Sequence, residues 1–351
     1  MRFLGTFLAW LGVLIGVLLV AITIVNPRRE FFGTAFPALN PNSRKVKTDF
    51  FDAELEKSPP VGIIIGSSRS MKLTPKLFSS ITGESFFNFA VFSASIEDDL
   101  AIARYVLSTD GKVRDLVIGV DPESFDSQVA PLAELGYNAR LAGALRGVPA
   151  TRWDKVRTVA REYRDALTFA YVVDVARSVL NSVHPPEAIN KFLPDGVVEY
   201  PKFDRERAAG RYPFSMHYEE CADHQRRAFA NYDSLGAGKR AMLDSLIAEA
   251  TARGVRVVLW MPPLNPAFAT QMRESPIFRE RYGRVTTYLS SLHHPPSVTV
   301  VDENDSTSLP NPNGWYDCVH YDRSNANAIS IALANAVRTA NATTVTSATM
   351  R

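Results

Sequence analysis

A chain of 351 residues with 46% hydrophobic and 22% charged content can bury a sizeable core, which excludes wholesale disorder and fibrous repeats. Its 39 basic and 37 acidic residues leave a net charge of +2, so nothing in the electrostatics argues for nucleic acid as a partner. Two cysteines exclude both a disulfide-dense scaffold and a four-cysteine zinc site.

The first element is Phe3 to Val25, a stretch without charge and rich in Leu, Val, Ile, Gly and Ala. As a helix rising ~1.5 Å per residue it covers roughly 34 Å, enough to cross a bilayer. A cleaved signal peptide would have an apolar run of roughly 7–15 residues ending in small residues. This run is longer and passes through Thr23-Ile24-Val25 into Asn26-Pro27-Arg28-Arg29, so an uncleaved, single-pass anchor over 3–25 is expected. Charge leaves the orientation open. Arg2 lies before the anchor and Arg28, Arg29, Arg44, Lys45 and Lys47 after it, which by count would keep the large domain in the cytoplasm, although long domains cross largely regardless of charge.

Residues 26–58, polar and dotted with Pro27, Pro37 and Pro41, read as a stalk. Val61 to Ile65 is a short apolar run closed by Gly66-Ser67-Ser68, as suits a strand buried on both faces. A second apolar run covers Phe86 to Val91, broken only by Asn88. Ile96 to Leu107 has helical spacing, with Glu97, Asp98 and Asp99 in its first turn, where the helix dipole favours acids. Leu116 to Asp121 predicts a third strand. The alternation resumes with a helix over Ala241 to Ala252, a strand over Val255 to Met261, a helix over Arg281 to Leu292, a strand over Val298 to Val301 and a helix over Asn325 to Ala340. This pattern predicts a three-layer α/β domain over 59–341 with a mostly parallel sheet. Residues of about 126–235 interrupt it as a helical insertion, with one long helical stretch from Trp153 to Val183. Residues 342–351 read as a frayed, disordered tail.

Ligands of an open parallel sheet gather at the carboxyl ends of its strands. Two segments are expected there. Gly66-Ser67-Ser68-Arg69 follows the first strand, where a sharp turn into a helix can present a serine hydroxyl beside a backbone N–H. The plainer reading is a Gly–Ser turn that caps the next helix. Asp317-Cys318-Val319-His320 precedes the last helix. A histidine can take the proton of a serine if a carboxylate fixes its tautomer, and an Asp three residues earlier can reach its ring across a turn. The plainer reading is a polar loop with an incidental histidine.

A serine after strand one and a D-x-x-H pair near the C-terminus resemble the SGNH (GDSL-like) hydrolase superfamily, over roughly residues 60–125 and 240–340. The similarity is greatest to its membrane-anchored branch, typified by D-alanyl-lipoteichoic acid and alginate O-acetylation proteins of bacteria. Residues 88–95 followed by acids, Ile118-Gly119-Val120-Asp121-Pro122 and Trp260-Met261-Pro262-Pro263 add to it. The resemblance implies a flavodoxin-like domain with Ser68 as nucleophile, His320 as general base and Asp317 as its orienting partner. It implies an esterase or O-acyltransferase acting on cell-envelope or exported polysaccharide from the periplasmic side of the cytoplasmic membrane. A membrane-bound O-acyltransferase would be a partner, and no cofactor is needed. Three departures stand out. Ser67 occupies a place where many members have Asp. Ser93 stands where the family offers a glycine N–H to the oxyanion. Asp121 stands near the place of a catalytic Asn, where a carboxylate would repel an oxyanion. These departures keep open a catalytically inactive scaffold or carbohydrate-binding protein, and the charges after the anchor keep open a cytoplasm-facing lipid esterase.

Arg69 is expected either to bind an anionic substrate group or to pair with a surface acid. His217, Cys221 and His224 could share a helical face, but a fourth metal ligand is missing, so no metal is expected. His293 and His294 read as a solvated loop. Cys221 and Cys318 would pair in an oxidising compartment and stay free thiols in a reducing one.

Overall fold

The computed structural model describes residues 2–349 apart from 32–33, 40, 110, 232–234 and 303–308. The chain opens with helix α1 (Arg2–Val25), which is long and apolar enough to span a membrane. Helix α2 (Ser43–Lys57) follows, capped by the Asn42 side chain, which accepts from the N–H groups of Arg44 and Lys45. The expected stalk therefore ends early. α2 belongs to the α/β body, with Phe51 fully buried against Phe87, Phe89 and Tyr105.

Strand β1 (Gly62–Ile65), helix α3 (Pro75–Thr82), strand β2 (Phe86–Asn88), helix α4 (Ile96–Thr109) and strand β3 (Asp115–Gly119) form the first half of the domain. The second half contains helix α11 (Ala237–Thr251), strand β6 (Arg256–Met261), helices α12 (Pro266–Glu274) and α13 (Pro276–Ser291), strand β7 (Val298–Asp302) and helix α14 (Arg323–Thr349). The five strands form one parallel sheet in the order β2-β1-β3-β6-β7, with Ile63 opposite Phe87 and Leu116 opposite Val257. β1 and β3 are buried throughout, as their unbroken apolar runs require of strands covered by helices on both faces. One core cluster gathers α2, α4, α11 and α13; a second packs α3 and α14 on the opposite face, through Phe78, Trp260, Ile329 and Leu333.

Between β3 and α11 lie a 3-10 turn (Pro122–Phe125), helices α5 (Ala133–Gly136), α6 (Ala139–Leu145), α7 (Arg152–Ala166) and α8 (Phe169–Val183), the two-stranded ladder β4 (Lys191–Phe192) and β5 (Val198–Glu199), and helices α9 (Pro201–Ala208) and α10 (Phe214–Asn231). The stretch 153–183 is thus two helices bent by 86° rather than one. Thr168 breaks it by accepting from the N–H of Tyr171 and so capping α8. At the other end α14 continues to Thr349, so most of the expected tail is helical.

Candidate functional site

Ser68 lies just beyond the carboxyl end of β1, and Asp121 just beyond that of β3. The sheet order reverses between these two strands, one neighbour leading to β2 and the other to β6, and this is where open α/β sheets leave a crevice for ligands. Gly66 makes the turn possible. Its φ is +130°, and a Cβ there would fall 2.8 Å from the Gly119 carbonyl oxygen. The turn does not cap α3. Residues 67–73 form successive tight turns, with Ser70 N donating to Ser67 O at 2.9 Å, and the helix begins only at Pro75. Asn88, the one polar residue of its run, steadies these turns: its amide donates to the carbonyls of Ser70 and Leu73 at 2.8 and 2.9 Å.

The Ser68 hydroxyl lies 2.8 Å from His320 Nε2, and His320 Nδ1 lies 2.7 Å from Asp317 Oδ2. Asp317 Oδ1 also accepts from the N–H groups of Val319 and His320 at 2.9 and 2.7 Å, so the three-residue spacing is a turn folded around its own carboxylate. Burial alone would raise the Asp317 pKa, but His320 and these hydrogen bonds hold it below the usual carboxylate range. An ionised Asp317 accepts from Nδ1–H, which leaves Nε2 as acceptor for the Ser68 hydroxyl. This is the alignment in which a hydroxyl can lose its proton as its oxygen attacks. Cys318, between the two, is bonded to Cys221 on α10, with Cα atoms 5.7 Å apart. The pair ties the insertion to this loop and removes Cys221 from any metal set. Among the described residues no group of three His, Cys, Asp or Glu could hold a metal ion.

Arg69 pairs with acids, as one of its two expected roles requires, but from a buried position. It is buried, with its guanidinium 3.2 Å from Asp121 and also paired to Glu123. Its carbonyl accepts from the Tyr321 hydroxyl. Asp121 is buried and Glu123 is partly exposed, while the guanidinium itself is almost wholly buried. Burial raises the Asp121 carboxyl to about 6 despite the opposing Arg69 charge. The negative charge expected to repel an oxyanion is therefore countered by a cation in direct contact.

Ser93 is exposed and holds φ at +46°, in the left-handed region that glycine occupies freely and other residues at a cost of about 1–2 kcal/mol. An arginine that composition alone could not place clamps this loop. Arg44, on α2, is paired with Asp98 at 2.9 and 3.0 Å and donates to Phe92 O at 2.8 Å. Asp98 in turn accepts from Ser95 N at 3.0 Å. The one sequence signal was the acidic first turn of α4, read as a match to the helix dipole; two of those acids have a second task, since Glu97 also binds Lys239 at 2.7 Å. A second group absent from the sequence reading flanks the Asp317 turn. Tyr316 receives a hydrogen bond from the buried Lys72 ammonium at 2.9 Å and bonds Asp204 of α9.

Two cavities of about 880 and 650 Å³ are lined by other residues than Ser68, Asp317 and His320. Ser68 is half-buried at the carboxyl rim of the sheet. His217 stacks on Tyr212 with ring centres 5.1 Å apart, and His294 forms a bridge with Val298. No family model matches the chain, and no curated protein matches it.

Proposed function

We propose that the protein is a membrane-anchored serine esterase or O-acyltransferase of the SGNH type that forms an acyl-Ser68 intermediate. The observation that carries this reading is the hydrogen-bonded line from Ser68 through His320 to Asp317. In the first half-reaction Ser68 Oγ attacks the ester carbonyl and its proton passes to His320 Nε2. The tetrahedral intermediate then expels the alcohol, which leaves with that proton. In the second half-reaction water or a sugar hydroxyl gives its proton to His320, attacks the acyl carbonyl and restores Ser68. The backbone N–H groups of Ser68 and Ser93 are the candidate oxyanion donors, and a backbone donor does not need glycine. The left-handed φ of Ser93 supports matching this position to the family's glycine. The strand order, 2-1-3-4-5 when the five strands are numbered alone, supports a flavodoxin-like domain.

The bond between Cys221 and Cys318 supports an oxidising compartment, and so a domain on the periplasmic side of the cytoplasmic membrane rather than a cytoplasm-facing lipid esterase. An exported or envelope polysaccharide is then the acyl acceptor or ester substrate, and a membrane-bound O-acyltransferase the source of acyl groups. Ser68→Ala abolishes turnover of a simple aryl ester while leaving expression and melting temperature unchanged; equal rates in variant and parent refute the reading. Asp121, a carboxylate near where the family has an amide, favours the second reading, an inactive scaffold that binds glycan. That protein would ignore serine-directed phosphonates yet still retain polysaccharide.

A further inference from the structure

Helix α8 carries two opposed apolar faces. Its inner face is covered: Tyr171 and Val175 pack, with Ala166, on Leu18, Ala21, Ile22 and Val25 of α1. Arg28 just after α1 binds Asp174 of α8 at 3.0 Å and lies over the Tyr171 ring, fixing the two helices to each other. The outer face is not covered. Phe169, Leu180 and Val183 are 83%, 71% and 72% exposed, and with Val173 and Ala176 they recur at intervals of three and four residues. On a helix these five side chains form one stripe, roughly opposite Tyr171, Val175 and Ser178. Water is a poor neighbour for such a stripe.

The length of α1 says what covers it. Phe3–Val17 is exposed throughout, and the helix is half-buried or buried on one side from Leu18 onward. At ~1.5 Å per residue those positions span roughly 22 Å, against ~30 Å for the hydrocarbon of a bilayer. The missing roughly 8 Å, about five residues, must come from Leu18–Ile22, the residues against which α8 is packed. If α1 spans the membrane, α8 is carried down to the hydrocarbon boundary with its outer stripe uncovered. The adjoining α7 exposes Trp153 beside Arg157, Arg161 and Arg164, side chains suited to the level of anionic headgroups.

We propose that α8 is an interfacial helix whose Phe169–Val173–Ala176–Leu180–Val183 stripe is seated in the lipid of the bilayer that α1 spans, giving the domain a second, lateral membrane contact. This rests on α1 as a spanning helix and is independent of any catalytic role for Ser68. The body is then held against the membrane at a fixed orientation instead of swinging on a stalk.

The test uses the full chain in nanodiscs of phosphatidylethanolamine and phosphatidylglycerol. Nitroxide labels are placed singly at Leu180→Cys and Val183→Cys, with Leu14→Cys in α1 and Ala248→Cys on the exposed side of α11 as lipid and water references. The native cysteines are paired, so only the introduced thiol reacts. Both α8 labels should collide with oxygen in preference to a water-soluble nickel chelate, with a ratio several-fold above that at Ala248 and approaching that at Leu14. A ratio equal to that at Ala248 overturns the proposal. So do low collision rates with both reagents, which would mean that a second copy or another protein covers the stripe. A water-like reading at Leu14 overturns it together with its premise.

Discussion

Removing the Cys221–Cys318 bond should cost stability far more than it costs geometry. The two residues are 97 positions apart, so the bond closes a long loop in the unfolded chain. In the chain-entropy treatment a loop of that length is worth about 4.7 kcal/mol at 25 °C, an upper figure because unfolded chains keep residual structure. With a urea dependence of about 2–3 kcal/mol per molar for a domain of this size, the Cys221→Ala/Cys318→Ala variant should unfold earlier in urea by up to about 1.6–2.4 M. The site itself has other supports. Asn265 N donates to Cys318 O at 2.9 Å, Tyr316 N donates to His320 O at 2.8 Å, and the Asp317 carboxylate accepts two backbone N–H groups of its own turn. Ester turnover by the folded variant should therefore stay within a few-fold of the parent. Urea titrations of the parent, the double variant and the parent with dithiothreitol, followed by tyrptophan fluorescence, measure the first quantity, and aryl-ester turnover in buffer the second. Coincident unfolding curves would refute the reasoning, and with it the argument that this domain matures in an oxidising compartment.

Further substitutions probe the site and its supports. Asp317→Asn keeps the shape of the turn but lets the amide favour the wrong imidazole tautomer, so kcat should fall by about 10³–10⁴ with little change in melting temperature; a loss under tenfold would contradict the assigned role. Arg69→Met leaves Asp121 and Glu123 unpaired and should cost about 3–5 kcal/mol by urea titration. Adding Asp121→Asn and Glu123→Gln should recover much of that loss, and no recovery would mean that the arginine matters for its packing instead. Lys47 is fully buried, with its ammonium donating to Asn88 O at 2.9 Å and to Gly196 O, and burial lowers its pKa to about 7. An unfolded lysine holds its proton up to about 10.4, so the unfolded state binds more protons than the folded one between those values. Stability should therefore rise as pH goes from 7 toward 10, and Lys47→Met should flatten that rise; parallel pH profiles for variant and parent would show that Lys47 does not cause it.

The parallel domain was legible because its strands are short, unbroken apolar runs that end in turn residues. Val61–Ile65, Leu116–Asp121 and Val255–Met261 each match an observed strand to within two residues at either end. The serine and the Asp–His pair were legible because each abuts such an element. What escaped the sequence was set by contacts between remote segments. Arg44 and Lys47 look like the polar residues of a stalk until their partners at 88–98 and 196 are known. Phe50 and Phe51 are two adjacent aromatics in a polar stretch, too sparse a signal to reveal a core helix. The long helix expected from Trp153 to Val183 fails at Leu167-Thr168, where apolar spacing continues but a threonine cap starts a new helix. Sequence alone leaves Arg69 between a substrate anion and a surface acid because its two acids lie beyond another strand, at 121 and 123.

The central claim is that the Ser68 hydroxyl is activated by His320, and one labelling experiment meets it directly. The native chain is incubated with a fluorophosphonate, digested, and the modified residue located by mass spectrometry, beside the His320→Gln variant. The account predicts a single adduct on Ser68, formed at least about a hundredfold more slowly when His320 is replaced. An unmodified Ser68 in the native chain, or an adduct that forms equally fast without the imidazole, would contradict it.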